Sequence, residues 1–133
     1  MNTDKGIPGA AMYITYGCLV VSVPVELDDN TLSRIPGEVL EKVRETRVKG
    51  VIIDLSAVSV IDSFTAGIID HTARAVSLLG AAVVISGIKP GTAASLVDLD
   101  LYFDGITNVL SLEEGFNILR FPGENEEGIG NET

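Results

Sequence analysis

A hydroxyl group at the start of a helix is the feature of this sequence best placed to take part in chemistry. Ser63 follows Asp62, and an apolar pattern at helical spacing begins at Phe64. Asp and Ser are both preferred N-cap residues, so either one can start the helix. A phosphate on Ser63 would lie near free backbone amides and the positive helix end, and would meet the charge of Asp62 and of Asp54. The residues alone therefore leave two interpretations of Ser63: a structural cap, or a phosphorylation switch that changes the surface charge by about −2 where a partner docks.

The other reactive side chains do not assemble into a hydrolytic or metal site. The chain has one histidine, His71, and one cysteine, Cys18. Ser63 and His71 are eight helical residues apart, which separates them by roughly 12 Å along the helix axis and prevents a hydrogen bond. The segment DSFTA around Ser63 also lacks the GxSxG pattern of a nucleophile elbow. We therefore expect no cofactor, no metal and no catalytic residue, and the serine is predicted to be a substrate of chemistry rather than its agent.

Two phosphate-linked alternatives remain open on the residues. The segment GIKPGT after a predicted strand contains Gly, Lys and Thr, but in the wrong order for a P-loop. An acidic pair, a strand-end aspartate and a lysine, as in the receiver domains of response regulators, are also present: Asp28-Asp29, Asp54 and Lys89-Pro90. Only 35 residues separate Asp54 from Lys89, fewer than a receiver needs between the two. Asp28-Asp29 also fit a helix start better than a strand-end metal pair.

Length and composition restrict the class of protein. The chain of 133 residues is 46% hydrophobic, which suits one globular domain with a real core. Its formal net charge of −10 repels phosphate backbones, so we expect no nucleic-acid partner; it favours a basic protein partner, or solubility alone. No apolar run is long enough to span a membrane and no signal peptide opens the chain, so a cytoplasmic protein without a membrane contact is expected.

Alternating apolar runs and helical patterns predict the element order β-β-α-β-α-β-α-β-α. This alternation implies crossover connections and an α/β fold with a mostly parallel sheet, preceded by an antiparallel N-terminal strand pair and containing about four helices. The Val-Ile-Ile run after Gly50 does not alternate, as in strands buried on both faces. The predicted strands are Met12–Tyr16, Cys18–Val25, Gly50–Leu55, Ala81–Ser86 and Ile106–Leu110, and the predicted helices are Pro36–Arg47, Ser63–Leu79, Pro90–Leu99 and Ser111–Leu119.

Details of the helices and of the chain ends are also predicted. Because of Pro36-Gly37, the regular part of the first helix is expected to begin at about Pro36, with a looser turn before it. In the second helix the apolar repeat comprises Phe64, Ile68, Thr72, Ala75 or Val76, and Leu79. Residues 1–10 are predicted to form a flexible lead-in, 11–120 a single domain and 121–133 an acidic disordered tail.

The segment VIIDLSAVSVIDSFTAGIIDHTARAVSLLGAAVVISGIKP resembles the central signature of STAS domains, the family of bacterial anti-sigma factor antagonists. The pattern is a strand ending in Asp-Leu-Ser, a loop to Asp-Ser, a helix, then Leu-Gly and a second apolar strand. The likeness covers about residues 11 to 120. Within the family it is strongest to scaffold proteins of the RsbS type from the stressosome, on the stretches CLVVSVPVELDD, VIDSFTA and VVISGIKPGTAASLVDL.

The resemblance implies a non-enzymatic signalling role. Proteins of the RsbS type are phosphorylated on the serine of the Asp-Ser-Phe motif, here Ser63, by a serine kinase of the RsbT type, which they otherwise hold together with RsbR-type STAS proteins in a large assembly. Ser95 falls where RsbR-type relatives carry a second phosphorylatable residue. The residues expected to dock the partner are Asp62, Phe64, Thr65 and Asp54. A homodimer is compatible with the family, and the alternative is a simple antagonist of the SpoIIAA type that binds an anti-sigma kinase one-to-one.

Overall fold

A five-stranded sheet in the order β1-β2-β3-β4-β5 forms the centre of the molecule. The computed structural model describes residues 11–101 and 103–120, so the expectations for the lead-in 1–10 and the acidic tail 121–133 lie outside the described residues. The strands are β1 (Ala11–Thr15), β2 (Cys18–Ser22), β3 (Gly50–Asp54), β4 (Ala82–Ser86) and β5 (Thr107–Val109), and the helices are α1 (Asp29–Thr46), α2 (Ser63–Leu78), α3 (Pro90–Asp98) and α4 (112–120). The predicted α/β fold with a mostly parallel sheet and four helices is confirmed.

The N-terminal strand pair is the one antiparallel part of the described sheet. β1 pairs with β2 from Ala11 opposite Ser22 to Thr15 opposite Cys18. Tyr16 and Gly17 between them both have positive φ, 52° and 75°, as a two-residue hairpin turn of type I′ requires. The turn therefore sets the register that the alternation of residues alone does not specify.

The parallel part of the sheet is covered on both faces. β2 pairs with β3, β3 with β4, and β4 with β5, all parallel. On one face Leu19 and Ile53 join the core formed with α1 and α2, while Ile52 points the other way and is equally buried. α4 covers that second face closely, since an added Cβ on Gly115 would come within 3.0 Å of the Ile52 side chain. Burial on both faces explains the absence of alternation in β3.

Helix α1 differs from its prediction because it continues through Pro36. The helix begins at Asp29, capped by Asp28, and Pro36 lies inside it. Proline cannot donate the hydrogen bond to the carbonyl of Leu32, which normally destabilises a helix interior. Here Leu32, Ile35, Pro36 and Val39 are all buried against the core. Tertiary packing and the N-cap together outweigh the proline, and the expected looser turn before residue 36 is wrong.

Helix α2 has its predicted start at Ser63 and ends one residue early, at Leu78, with Gly80 in the left-handed region just after it. Its buried face, which comprises Ala66, Ile69, Thr72, Ala73 and Val76, agrees with the predicted repeat only at Thr72 and Val76. Phe64 and Leu79, which the apolar repeat includes, are exposed. Two of the buried residues, Ala66 and Ala73, are small, and an apolar count weighted toward large side chains misses them.

Candidate functional site

At the start of α2, one residue caps the helix and the next presents a hydroxyl, whereas the sequence alone could not assign these two roles between Asp62 and Ser63. Asp62 is the N-cap, with extended backbone, and its Oδ1 accepts a hydrogen bond from the amide of Thr65 at 2.8 Å. Ser63 is the first helical residue and is exposed. Because the cap is made by the aspartate, helix capping does not occupy the serine hydroxyl. The hydroxyl is therefore presented to solvent at a helix N-terminus, where added negative charge is tolerated.

Hydrogen bonds at the helix start favour the ionised form of Asp62. The hydrogen bond from the backbone amide of Thr65, reinforced by the Thr65 hydroxyl, holds the pKa of the Asp62 carboxyl below its usual value. Asp28 at the start of α1 has the same arrangement: its Oδ1 accepts from the amide of Thr31 at 2.7 Å, and this bond likewise lowers its pKa. Two caps with lowered carboxyl pKa values therefore lie at the same end of the sheet, at the entry of α1 and of α2.

The loop between β3 and α2, residues 55–62, is fixed by apolar side chains although it carries no regular structure. Leu55, Val58 and Ile61 are buried in the core cluster. The amide of Val58 donates to the carbonyl of Leu55 at 2.9 Å, which forms a tight turn. Three buried anchors in eight residues hold this loop to the domain, so Ser63 is delivered by an ordered segment.

Asp54 closes the other end of this loop. Its carboxylate accepts hydrogen bonds from the hydroxyl of Ser86 on β4 at 3.1 Å and from the amide and hydroxyl of Ser56, at 3.2 and 3.0 Å. The Ser86 side chain is fully buried. Asp54 thus links the carboxyl ends of β3 and β4, and its direct part in docking a partner remains a prediction.

An open groove of about 510 Å³ lies beside the start of α2. Its walls are the segment from Val23 to Asp28 after β2, residue Leu32 of α1, and Val58, Val60, Asp62 and Thr65. Val25 and Val60 are 71% and 73% exposed, which is unusual for β-branched residues. Among the described residues, three carboxylates line the groove, those of Glu26, Asp28 and Asp62, and no cation does. The groove is suited to a partner surface that is apolar at its centre and basic around it.

The structure brings together some of the predicted site residues and leaves others apart. Asp62 and Thr65 line the groove, Ser63 adjoins them, and Phe64 is 42% exposed in the same turn. Ser95 lies on α3, half-buried, with its hydroxyl donating to the carbonyl of Gly91 at 3.0 Å. Sequence reasoning missed the groove residues Val25, Glu26 and Val60.

Other classes of site gain no support from the described residues. His71 is exposed on α2, two turns beyond Ser63. Across 11–101 and 103–120, no group of three or more His, Cys, Asp or Glu side chains is arranged to hold a metal ion. In the same ranges no helix combines the length and apolarity needed to cross a membrane.

Comparison with known proteins identifies the family. The sequence profile of the STAS domain matches residues 10–114. The chain belongs to the STAS domain family. Its α/β architecture is therefore that of a STAS domain, as the resemblance of the central segment implied.

Relatives from stress signalling are among the similar proteins. A variant of RsbS from Moorella thermoacetica, in which a serine is replaced by glutamate, superposes with a TM-score of 0.77 at 28% identity and covers 86% of this chain and 97% of that one. A chain from a structure describing the molecular architecture of the stressosome gives a TM-score of 0.71 at 28% identity, over 83% of this chain and 96% of that one. The RsbT co-antagonist protein RsbRD of Bacillus subtilis is 30% identical over 112 residues, 80% of this chain but 40% of the relative's length.

Proposed function

We propose that the chain is a non-enzymatic STAS scaffold of a stressosome-type assembly in the cytoplasm. In its unmodified form it sequesters a serine kinase of the RsbT type, together with RsbR-type STAS proteins. Phosphorylation of Ser63 releases the kinase and so passes on a stress signal. The observation that carries this proposal is an exposed serine hydroxyl, freed from capping by Asp62, next to an acidic groove with apolar walls.

Ser63 acts as a phosphoryl acceptor rather than as a nucleophile of this chain. In the proposed step the Ser63 oxygen attacks the γ-phosphorus of ATP, the bond to the bridging oxygen breaks, and ADP leaves. The hydroxyl proton passes to a base, which the kinase supplies, because the neighbouring Asp62 carboxylate is held in the helix cap. His71, on the next turns of α2, lies too far along the helix to serve.

The charge change explains how phosphorylation would release a partner. The new phosphate adds about −2 to a surface that already presents Asp62, Asp28 and Glu26. The helix N-terminus can hold this charge without unfolding, so the fold survives the modification. The docking surface itself changes: an apolar patch that a basic partner desolvates becomes strongly hydrated around Ser63, which disfavours burial of the patch.

Similarity to named relatives supports this choice of partner and assembly. The similar structures are those of an RsbS variant and of a stressosome, and the similar protein RsbRD is an RsbT co-antagonist. The chain spans only two fifths of the length of that curated relative. The kinase and the large assembly are therefore proposals for this chain, and they rest on the site geometry together with the family.

Kinase capture gives the direct test of the switch. Ser63→Asp should weaken binding of an RsbT-type kinase at least tenfold, because a charge enters the docking surface. Ser77→Asp is the matched control, since it places the same charge on an exposed serine in the last turn of the same helix, and it should bind within twofold of the wild type. Equal affinity of the wild type and Ser63→Asp in calorimetry would contradict the switch.

Size-exclusion chromatography with an RsbR-type partner separates the proposal from the alternative function. Elution of both proteins in one megadalton-scale particle supports the scaffold. Only small species, with one-to-one capture of an anti-sigma kinase, would instead indicate a simple antagonist of the SpoIIAA type.

A further inference from the structure

We propose that Thr92 and Gly91, in the first turn of α3, are positioning residues for Ser63. They fix the loop 55–62 in the conformation that presents the serine hydroxyl. The inference deepens the proposed function and rests on it for the role of Ser63. The juxtaposition of the loop with α3 is itself observed in the structure.

Thr92 makes a buried contact across the two elements. Its side chain is fully buried, at 0% exposure, and its hydroxyl donates to the carbonyl of Val58 at 2.8 Å. Val58 lies at the middle of the loop, 34 residues earlier in the chain. A buried hydroxyl in contact with a backbone carbonyl constrains both groups, because neither has water as a substitute partner. The hydrogen bond therefore ties the centre of the loop to α3.

Gly91 supports the same contact from the neighbouring position. A Cβ atom on Gly91 would lie 2.5 Å from the carbonyl oxygen of Ser59, closer than any real Cβ contact. Glycine is a poor helix former, so its use in a helical turn needs a local reason. Here the reason is the backbone of the loop, which passes directly against the first turn of α3. Two consecutive loop carbonyls, of Val58 and Ser59, thus meet two consecutive residues of α3.

The contact fixes the approach of the chain to Ser63. Ser59 precedes Ser63 by four residues, and the Asp62 cap fixes the end of the loop. α3 is itself anchored, because Leu96 belongs to the core cluster. The loop is thus held by α3 in its middle and by α2 at its end. A displacement of α3 would move the segment that delivers Ser63, so α3 forms part of the phosphorylation site although it contributes no reacting atom.

Threonine substitutions test the hydrogen bond. Thr92→Val keeps the shape and removes the hydroxyl, Thr92→Ser keeps the hydroxyl, and Thr72→Val is the matched control. Thr72 is also buried, with its hydroxyl donating to Ile68 at 2.7 Å, but within α2 alone. Hydrogen exchange of the Val58 amide, measured by NMR on the full chain, should accelerate at least tenfold in Thr92→Val and stay within twofold in Thr92→Ser and Thr72→Val.

Phosphorylation kinetics provide the functional measurement on the same variants. The kcat/KM of an RsbT-type kinase should fall at least fivefold for Thr92→Val, and Thr92→Ser should restore it. Thr72→Val should leave it unchanged even where it lowers stability. An unchanged Val58 exchange rate, or an unchanged kcat/KM with faster exchange, would overturn the positioning role.

Glycine substitutions test the close backbone contact independently. Gly91→Ala should shift the amide resonances of Val58 and Ser59 and lower kcat/KM at least fivefold. Gly37→Ala in α1, where an added Cβ meets nothing within 4 Å, should do neither. Unshifted resonances in Gly91→Ala would overturn the inference. If the kinase does not phosphorylate the wild type, the proposed function fails, while the exchange and resonance measurements still decide whether α3 fixes the loop.

Discussion

Adjacent residues at the start of α2 perform different tasks. Asp62 accepts a hydrogen bond from the amide of Thr65, which lowers the pKa of its carboxyl, and Ser63 is exposed. A serine in the cap position would itself have bonded that amide and would have been held in the helix. Because Ser63 follows the cap, the proposed phosphorylation would leave the Asp62 cap of the helix intact.

Acid titration tests the charged caps. The pKa values of Asp62 and Asp28 are lowered in the folded state, so their stabilisation is complete above the unfolded-state pKa of about 4 and is lost as pH falls through the folded pKa. The double variant Asp62→Asn, Asp28→Asn keeps the cap geometry without the charge. It should be less stable than the wild type at pH 7, and the difference should disappear at about pH 2.

Urea unfolding at the two pH values measures this difference. Asp98→Asn is the control: it removes a carboxylate from the C-terminal end of α3, where the helix dipole disfavours negative charge, so it should not destabilise the protein at pH 7. A difference between the double variant and the wild type that persists undiminished at pH 2 would contradict charged caps.

Some residues of the candidate site could be predicted from the sequence and others could not. The pair Asp62-Ser63 was predictable because capping chemistry precedes an apolar helical pattern. The sequence could not show which of the two residues caps the helix, because both side chains can accept the hydrogen bond. Thr92 was not predictable at all: its partner Val58 lies 34 residues away and is a backbone carbonyl, which carries no side-chain signal.

At the scale of elements, strands were predicted more faithfully than helix faces. β3 and β4 were found to within a residue because a run of buried β-branched residues is distinctive. The start of α1 was missed because proline carries a strong local penalty that only the tertiary packing of Leu32 and Ile35 offsets. The face of α2 was predicted only in part, because the buried residues include Ala66 and Ala73, whose small side chains carry a weak apolar signal.

The link between β3 and β4 yields a prediction at this scale. Asp54→Ala leaves the buried Ser86 hydroxyl and the Ser56 amide without their acceptor, so unfolding free energy should fall by about 1–3 kcal/mol. Ser86→Ala removes one donor and should cost less. Because the two residues share a hydrogen bond, the double variant should be destabilised by less than the sum of the single variants in chemical denaturation. Simple additivity would contradict the link.

In the molecule as a whole, the groove and the start of α2 lie at one edge of the sheet, where the parallel strands end. In a parallel sheet the segments that follow β2 and β3 emerge at the same edge, so the chain after β2, the loop before α2 and the first turn of α3 meet there. The sequence predicted this edge through Asp54 and Ser63 but not the groove, whose walls come from segments far apart in the chain. The formal net charge of −10 has a local counterpart in the three carboxylates of that groove.

Phosphorylation of the intact chain by an RsbT-type kinase tests the central claim most directly. Incubation with ATP, followed by mass spectrometry of the whole protein and of its peptides, should show one phosphate on Ser63 and its loss in Ser63→Ala. Ser95→Ala, which leaves the start of α2 untouched, should be modified at Ser63 as the wild type is. Undiminished incorporation into Ser63→Ala would contradict the assignment of Ser63 as the switch.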